Sequence, residues 1–431
     1  MRSRPQWNVT IVLGLLPLFF GVAGCRSFPD GRYMGTVGAV PIDFELRTVE
    51  GQREAEFFNG AERFTSTSVQ KSWKTLRIRF DQYDSELAYR WNNGFPFSPN
   101  AAGVWEVRRS GGELSDVRTS LNSVPGGFPY PYDAENRDSR VRRGEGFIPA
   151  PELAGRWRVE FEKSGPAVGV FEVSETGMAT GTFLTPTGDF RYLTGDSYRL
   201  GKANRLFLST FDGAHLFSFT ARQIEDGSLK GRFRSGDWWQ EEWTAVRDDD
   251  AALPDAMGQT TWRSDTELDE LVFADLDGNP TSVAQAMDAL DDEGARATVL
   301  LVFGSWCPNC ADATEYLVEL QQKYHARGLR VLGLAFELTG DLERDAKQVR
   351  IHQEHHAADW PVLVAGLSNK AKASEALPVL DKVRSYPTTI FMGPDREPVG
   401  IWTGFSGPAT GQAHRDLRDR WEAMIEDLLG D

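Results

Sequence analysis

Two cysteines separated by two residues, Cys307 and Cys310, are the side chains of this sequence best suited to chemistry. They follow an apolar run at residues 297–303, typical of a buried strand, and precede a helical pattern at residues 311–324. At a helix N-terminus, free N–H groups and the helix dipole favour the thiolate of Cys307. Cys310 lies on the same helical face and can attack a mixed disulfide formed at Cys307. The spacing therefore predicts thiol–disulfide exchange.

The third cysteine, Cys25, follows a pattern that is typical of a secretory signal. Arg2 and Arg4 precede an apolar run at residues 11–22, and two small residues separate this run from Cys25. The run is short and contains Pro17, which argues against a permanent membrane span. The sequence therefore predicts export, with residues 1–24 as the signal peptide.

Residues 22–25, Val-Ala-Gly-Cys, resemble the lipobox of bacterial lipoproteins. This resemblance implies cleavage before Cys25 and attachment of lipid to its sulfur and its new amino group. Two or more acyl chains suffice for stable attachment to a membrane. Lipidation removes Cys25 from the pool of thiols, which leaves Cys307 and Cys310 as the only pair able to form a disulfide.

A Cys-x-x-Cys pair has two other common uses, and neither fits well. Structural zinc takes four ligands, and the sequence contains no second pair of this kind. His352, His355 and His356 have helical spacing, and we expect them to form a solvated helical face. A disulfide that closes so short a loop adds little stability. We therefore predict no metal site and a dithiol that is used for chemistry.

Length and charge limit the classes of function. The chain has 431 residues, of which 40% are hydrophobic, so two or three domains with sizeable cores are expected. Its formal net charge is −16. This charge argues against binding to nucleic acid and against electrostatic binding to an anionic membrane surface. Any attachment to a membrane must come from the lipid on Cys25.

The pattern along the chain predicts a multidomain protein, with an N-terminal antiparallel all-β region followed by an α/β domain. The predicted segments after the signal are a first β-rich repeat at 25–110, a linker or lid rich in Pro and Gly at 111–151, a second β-rich repeat at 152–247, an acidic linker at 248–264 and the α/β domain at 265–431.

The two β-rich segments look like diverged repeats. Residues 74–91 align with residues 203–222 around a central Asp-Ser or Asp-Gly turn, and residues 104–109 align with residues 242–247. Chance similarity between two β-rich segments is the alternative explanation.

Residues 265–431 resemble the thioredoxin fold and, within it, the TlpA/ResA-like extracytoplasmic thiol–disulfide oxidoreductases. The resemblance depends on VLLVFGSWCPNC at 299–310, VLGLAFE at 331–337 and SYPTTIFMGPDREPVGIWTGF at 385–405. It implies that Cys307 is the attacking thiol and Cys310 the resolving thiol. It also implies that Pro387, preceded by Tyr386, is the family's cis-proline, which lies against the disulfide and offers backbone groups to a substrate. Trp306 is expected to pack beside the dithiol.

The sequence departs from thioredoxin at one position. Thioredoxin has a buried Asp six residues before the first cysteine, and Leu301 occupies that position here. ResA-like proteins carry a Glu near the dithiol at the end of the next parallel strand, which corresponds to Glu337. A carboxylate in an apolar pocket has a raised pKa and can transfer the exchange proton. The alternative is that Glu337 is a solvated residue at a strand end.

These observations predict a lipid-anchored thiol–disulfide oxidoreductase of the bacterial cell envelope, facing the periplasm from the inner or outer membrane. The resemblance favours reduction of protein disulfides, with electrons from an upstream thiol–disulfide donor, and no cofactor besides the Cys307–Cys310 disulfide. One alternative is a redoxin-type thiol peroxidase, but Gly304 occupies the position where that pattern has Thr. Another is a lipoprotein whose β region binds a protein or a glycan as its main function.

Overall fold

The computed structural model of the protein describes residues 28, 30–72, 74–91, 100–109, 111–123, 148–263, 267–292 and 294–430. The described residues form two antiparallel β sheets followed by a thioredoxin-like region with a mixed sheet and helices. The predicted fold class is therefore confirmed. The predicted signal peptide and Cys25 lie outside the described residues.

The first β unit is a nine-stranded antiparallel sheet with the order β4-β3-β2-β1-β9-β8-β7-β6-β5. Its first and last long strands, β1 and β9, pair with each other, and β3 contacts β5, so the sheet curves back on itself. Its aromatic core includes Phe44, Phe80 and Trp105. The strands are β1 Gly31–Val37, β2 Val40–Val49, β3 Gln52–Asn59, β4 Glu62–Thr65, β5 Ser68–Lys71, β6 Thr75–Phe80, β7 Ser85–Trp91, β8 Asn100–Arg108 and β9 Leu114–Ser123.

The second β unit has ten strands in the order β10-β15-β16-β17-β18-β19-β11-β12-β13-β14. Because β13 also pairs with β15, eight of the strands form a closed ring around a core that contains Trp157, Phe183 and Trp243. The strands are β10 Ile148–Pro149, β11 Gly155–Phe161, β12 Gly165–Val173, β13 Met178–Thr185, β14 Gly188–Asp189, β15 Leu193–Leu200, β16 Ala203–Phe211, β17 Leu216–Gln223, β18 Leu229–Ser235 and β19 Trp239–Arg247.

The two β units have the same strand sequence, with β1 to β9 corresponding to β11 to β19. Within it, β6 and β7 match β16 and β17, in agreement with the alignment of residues 74–91 with 203–222. The second aligned pair is wrong by one strand, because residues 104–109 end β8 whereas residues 242–247 end β19, the counterpart of β9. The local pattern misled here because neighbouring strands share the same alternation of apolar and polar residues.

The linker predicted at 111–151 also needs correction. Residues 114–123 form β9, which pairs with both β1 and β8 and thereby completes the first sheet. Polar residues on the outer face of this strand made it look like a loop, since only one face of an antiparallel sheet is buried. Residues 124–147 lie outside the described residues, so the proposal of a lid there stays a prediction.

The thioredoxin-like unit has a seven-stranded mixed sheet with the order β21-β20-β24-β23-β22-β25-β26. The central strands β22, β23 and β24 are parallel, and β20, β25 and β26 are antiparallel to their neighbours. The elements are β20 Val272–Asp275, β21 Pro280–Ser282, α1 Val283–Asp292, β22 Ala297–Phe303, α2 Pro308–Tyr324, β23 Leu329–Glu337, α3 Leu342–His356, β24 Val362–Leu367, α4 Lys370–Ala376, β25 Thr388–Met392, β26 Pro398–Thr403 and α5 Gln412–Leu429.

The β22–α2 junction forms for local reasons. Every residue of β22 is buried, as expected for a largely apolar strand inside a mixed sheet. Pro308 occupies the first turn of α2, where a missing N–H costs nothing. None of the helices in the described part of the chain is long and apolar enough to cross a membrane.

Candidate active site

The dithiol lies at the N-terminus of α2. Cys307 is the N-cap residue, and its sulfur accepts a hydrogen bond from the backbone N–H of Cys310, with an N···S distance of 3.4 Å. Both cysteines are free thiols, and Cys307 is 7% exposed whereas Cys310 is fully buried. Burial and the neighbouring Cys307 raise the pKa of Cys310 well above its ordinary value.

A second loop faces the dithiol across the sheet. The peptide bond between Tyr386 and Pro387 is cis, which is the isomer that the resemblance implies. The thiol of Cys307 donates to the carbonyl oxygen of Tyr386, at 3.6 Å. The indole N–H of Trp306 donates to the carbonyl oxygen of Phe336 at 2.9 Å, and its ring meets the Tyr386 ring edge-on with centroids 5.7 Å apart. The structure thus brings together Trp306, Cys307, Tyr386 and Pro387.

Glu337 lies at the end of β23 and is 1% exposed, so it is not a solvated strand-end residue. Its two carboxylate oxygens accept hydrogen bonds from the N–H and the hydroxyl of Ser305, at 2.8 and 2.7 Å. Burial raises its pKa to about 7, although the bonds from Ser305 act in the opposite direction. The charge of Glu337 also contributes to the raised pKa of Cys310. A carboxyl group with this pKa can accept or release a proton near neutral pH.

Position 301 lacks the acid of thioredoxin, and position 304 lacks the threonine of the thiol-peroxidase pattern. Leu301, at the position of the thioredoxin Asp, is fully buried in the core. A Cβ at Gly304 would overlap the indole of Trp306 and lie 2.9 Å from the carbonyl oxygen of Phe336. The threonine of the peroxidase pattern therefore does not fit at position 304 in this arrangement.

Two residues of this site, Ser305 and Lys370, carry no motif that predicts them from the sequence. Ser305 holds both carboxylate oxygens of Glu337, and the only signal for it was its place two residues before Cys307. Lys370, at the start of α4, lies close enough to Cys307 for their charges to interact. Burial lowers the pKa of Lys370, and the charge of Cys307 acts in the opposite direction.

The expected solvated face of three histidines on α3 is wrong for two of them. His352 is 1% exposed, and its Nε2 lies 3.1 Å from the hydroxyl oxygen of Thr314 on α2. The side chain of His356 is 4% exposed, with Nδ1 3.2 Å from a carboxylate oxygen of Glu315. Packing of α3 against α2 buries this face, which spacing alone does not reveal. Among the described residues, no cluster of His, Cys, Asp and Glu is arranged to hold a metal ion.

The first β unit packs against one side of the site. The N–H of Gly111 donates to the carbonyl oxygen of Leu338, just beyond Glu337, at 3.0 Å. Asp84 forms an ion pair with Arg344 on α3, and the side chain of Gln348 donates to the carbonyl oxygen of Asp81 at 2.5 Å. These contacts hold the turn after β6 next to the strand that carries the buried carboxylate.

The second β unit packs against the other side, beside the dithiol itself. Its contacts come from the turn between β13 and β14 and from Arg191 just after β14. The hydroxyl of Ser385, next to the cis peptide, donates to the carbonyl oxygen of Thr187 at 2.8 Å. The backbone N–H of Gly407 donates to a carboxylate oxygen of Asp189 at 2.6 Å. No motif in the sequence indicated these contacts.

Arg191 links all three units. It forms an ion pair with Asp312 on α2, and its guanidinium lies 3.0 Å from a carboxylate oxygen of Glu62 in the first β unit. Asp212 lies 3.9 Å away in the second β unit. The side chains of these four residues are at most 12% exposed, so the candidate active site lies at a buried, charged junction of the three units.

Comparison with known proteins gives structural likeness only. A putative thiol:disulfide interchange protein DsbE from Chlorobium tepidum is 16% identical, covering 37% of this chain and 92% of that protein, with a TM-score of 0.27. A secreted disulfide oxidoreductase from Mycobacterium tuberculosis is 16% identical, covering 36% and 98%, with a TM-score of 0.25. The thioredoxin domain of a thiol-disulfide oxidoreductase from Bacteroides vulgatus is 14% identical, covering 39% and 99%, with a TM-score of 0.24. No family model and no curated protein matches the sequence.

Proposed function

We propose that this protein is an extracytoplasmic thiol–disulfide oxidoreductase that reduces protein disulfides through Cys307 and Cys310. The observation that carries the proposal is the position of the two thiols. The sulfur of Cys307 caps α2 and lies 3.6 Å from the carbonyl oxygen of Tyr386, and Cys310 is buried behind it. One thiol is placed to meet a substrate, and the other can be reached only from within the protein.

The exchange has two steps. The thiolate of Cys307 attacks one sulfur of a substrate disulfide, whose S–S bond breaks as the Cys307–substrate disulfide forms, and the other substrate sulfur leaves as a thiolate that takes up a proton. Cys310 then loses its proton and attacks the sulfur of Cys307. The mixed disulfide breaks, the second substrate thiol leaves, and two electrons have passed to the substrate as the Cys307–Cys310 disulfide forms. An upstream dithiol donor reverses these steps and restores the reduced protein.

Glu337 is proposed as the group that manages the proton of Cys310. Burial raises the pKa of Cys310, so its deprotonation during the second step needs a base. The carboxyl group of Glu337 has a pKa of about 7 and interacts with the charge of Cys310. Ser305 orients this carboxyl group through both of its oxygens. We therefore assign Glu337 the role that Leu301 cannot fill.

We propose a lipid anchor at Cys25, in the cell envelope and facing the periplasm. The support is the run of residues 11–22 after two arginines and the Val-Ala-Gly-Cys box that ends in Cys25. A net charge of −16 gives little attraction to anionic lipid, so the acyl chains supply the membrane affinity.

The test is reduction of insulin disulfides by the full chain with a dithiol as electron source. We expect Cys307→Ser to abolish activity, because no attacking thiol remains. The matched control is Cys25→Ser, which removes the cysteine outside the Cys-x-x-Cys pair and should leave the activity of the purified protein unchanged. Activity that survives Cys307→Ser would contradict the proposal.

A further inference from the structure

The hairpin at residues 185–189 lies beside the dithiol, against the loops around Cys307. It comprises the end of β13, a two-residue turn and β14, and it projects from the second β unit onto the thioredoxin-like unit. Its contacts fall on three separate loops that surround Cys307. These are the start of α2, through Asn309; the loop of the cis peptide, through Ser385; and the segment after β26, through Gly404 and Gly407.

The fit between hairpin and groove is close enough to require glycine on both sides. A Cβ at Gly188 would overlap the side-chain amide of Asn309. A Cβ at Gly404, on the opposite unit, would lie 2.7 Å from the carbonyl carbon of Thr187 and 3.1 Å from the backbone nitrogen of Gly188. Backbone atoms of the hairpin cannot move from that position unless the whole hairpin moves.

Two backbone carbonyl groups of the hairpin accept hydrogen bonds from side chains that lie next to the dithiol and the cis peptide. The carbonyl oxygen of Thr187 accepts from Ser385, the residue before the cis peptide, and the carbonyl oxygen of Asp189 accepts from the Asn309 amide at 3.4 Å. Cys307, which must be reached in line by a substrate sulfur, is only 7% exposed. The hairpin therefore narrows the approach of a protein disulfide to Cys307.

The junction that holds the hairpin is poorly balanced in charge. Arg191 lies among four carboxylates, which belong to Glu62, Asp189, Asp212 and Asp312, and the imidazole of His215 lies 3.2 Å from Asp212. Burying an excess of one charge costs free energy, because the attraction to a single guanidinium does not compensate for several desolvated carboxylates. The contact between the second β unit and α2 therefore fits closely in shape and includes the Arg191–Asp312 ion pair, but it buries more carboxyl groups than guanidinium groups.

We propose that the hairpin at residues 185–189 is an internal occupant of the substrate groove, and that the dithiol reacts with protein disulfides only after the second β unit has moved away from α2. This proposal rests on the proposed function for its biological meaning. The closure itself is a property of the fold, and it can be measured on the Cys307 thiol without any turnover.

The experiment compares two reagents on the reduced full chain, with modification of Cys307 followed by peptide mapping. Iodoacetamide is small, and a polyethylene-glycol maleimide is large. The quantity of interest is the rate with the large reagent divided by the rate with the small one, since this ratio cancels changes in thiol ionisation. We expect Gly404→Ala to raise the ratio about tenfold, which corresponds to about 1.4 kcal/mol in the opening equilibrium.

Gly258→Ala is the matched control. Gly258 has φ of +82°, and Gly404 has φ of +81°, so alanine is equally strained at both, but nothing lies within 4 Å of a Cβ at Gly258. A second pair of variants probes the same contact from the hairpin. Gly188→Leu should raise the ratio, and Gly31→Leu, at a comparable φ of +140° in open space, should not. This second pair decides the matter if Gly404→Ala does not fold.

Two outcomes would overturn the proposal. One is a wild-type ratio equal to that of an unstructured peptide containing Trp-Cys-Pro-Asn, which would mean that nothing covers Cys307. The other is a ratio unchanged in both Gly404→Ala and Gly188→Leu relative to their controls. Insulin reduction is measured separately on the same samples. Absence of insulin reduction both in the wild type and in the variants with an increased ratio would refute the proposed function and leave the closure intact.

Discussion

The guanidinium of Arg191, in the second β unit, forms an ion pair with the carboxylate of Asp312, which lies two residues after Cys310 on α2. These residues are 121 positions apart in the sequence. The pair fixes an all-β unit to the helix that carries the dithiol. This ion pair is therefore one of the contacts that link the packing of the β units to the surroundings of the dithiol.

Cys307 should react before Cys310. Burial and the neighbouring thiol raise the pKa of Cys310, so its thiolate is rare at neutral pH. With limiting iodoacetamide at pH 7, peptide mapping should find at least about tenfold more label on Cys307, because one pKa unit changes the thiolate fraction tenfold. Preferential labelling of Cys310 would reverse the assignment of the two thiols. Cys310→Ser should also accumulate mixed disulfides with substrates.

Glu337→Gln should change the pH dependence of the resolving step. Above pH 7 the ionised carboxylate of Glu337 opposes formation of the Cys310 thiolate, and the variant lacks this charge. In Glu337→Gln, the rate at which Cys310 resolves a mixed disulfide at Cys307 should therefore show a lower apparent pKa than in the wild type. Stopped-flow measurement of thiol release between pH 5 and 9 tests this.

The control for this variant is Glu343→Gln, an exposed glutamate in the first turn of α3. Its pH profile should coincide with that of the wild type. Coincidence of the Glu337→Gln profile with the wild type as well would show that Glu337 takes no part in the proton transfer.

The same substitution should alter stability in a pH-dependent way. Because the pKa of Glu337 is raised in the folded protein, its contribution to stability is fully present below the unfolded pKa and is lost as pH rises towards 7. Between pH 4 and pH 8, the free energy of unfolding of the wild type should therefore fall by up to about 3 kcal/mol more than that of Glu337→Gln. Urea unfolding at both pH values measures this, and an equal loss in the two proteins would contradict it.

Closure of the hairpin should weaken as pH rises. Burial raises the pKa of Asp189 to about 6, and the nearby charge of Asp312 acts in the same direction. The carboxyl group of Asp189 therefore binds a proton more tightly in the closed state than in the open state. The resulting stabilisation of the closed state is lost as pH rises through about 6. The ratio of large-reagent to small-reagent modification of Cys307 should increase between pH 5 and 7.5. Asp189→Asn should flatten this dependence, and Asp226→Asn, in an exposed turn, should not.

Other titratable groups also face the junction around Arg191 and contribute to the pH dependence of hairpin closure. The pKa values of Glu62 and Asp312 are raised mainly by burial, so they favour closure at low pH in the same sense as Asp189, whereas the pKa of Asp212 is lowered and it stays ionised throughout. The remaining groups are Tyr83, Tyr192, His215, Glu315 and His414. A ratio that is independent of pH in the wild type would refute the link between this cluster and closure.

Cys25 should carry lipid. Cells that express the full chain and are fed a palmitate analogue should label the protein, and Cys25→Ala should abolish the label, because the sulfur that accepts the acyl group is gone. Label that persists in Cys25→Ala would refute the anchor. Cys307→Ser serves as the control and should be labelled as the wild type is.

The sequence by itself determined what depends on neighbours in the chain. The helix start at Cys307 and Pro308 and the buried strand before it follow from apolar runs, capping and spacing within a few residues. The alternation of strands also revealed the all-β character of the N-terminal region, and residues 74–91 and 203–222 were correctly matched. It failed at residues 114–123, where a strand with one polar face looks like a loop until its partners β1 and β8 are known.

Only the tertiary structure decided the environment of the dithiol. Whether Glu337 is buried or solvated depends on Ser305, 32 residues away, and on the packing around both. The contact of Ser385 with Thr187 spans 198 residues, and no local pattern records it. Burial and long-range pairing set pKa values and access to Cys307, because desolvation and steric cover depend on what surrounds a group in space and not on its neighbours in sequence.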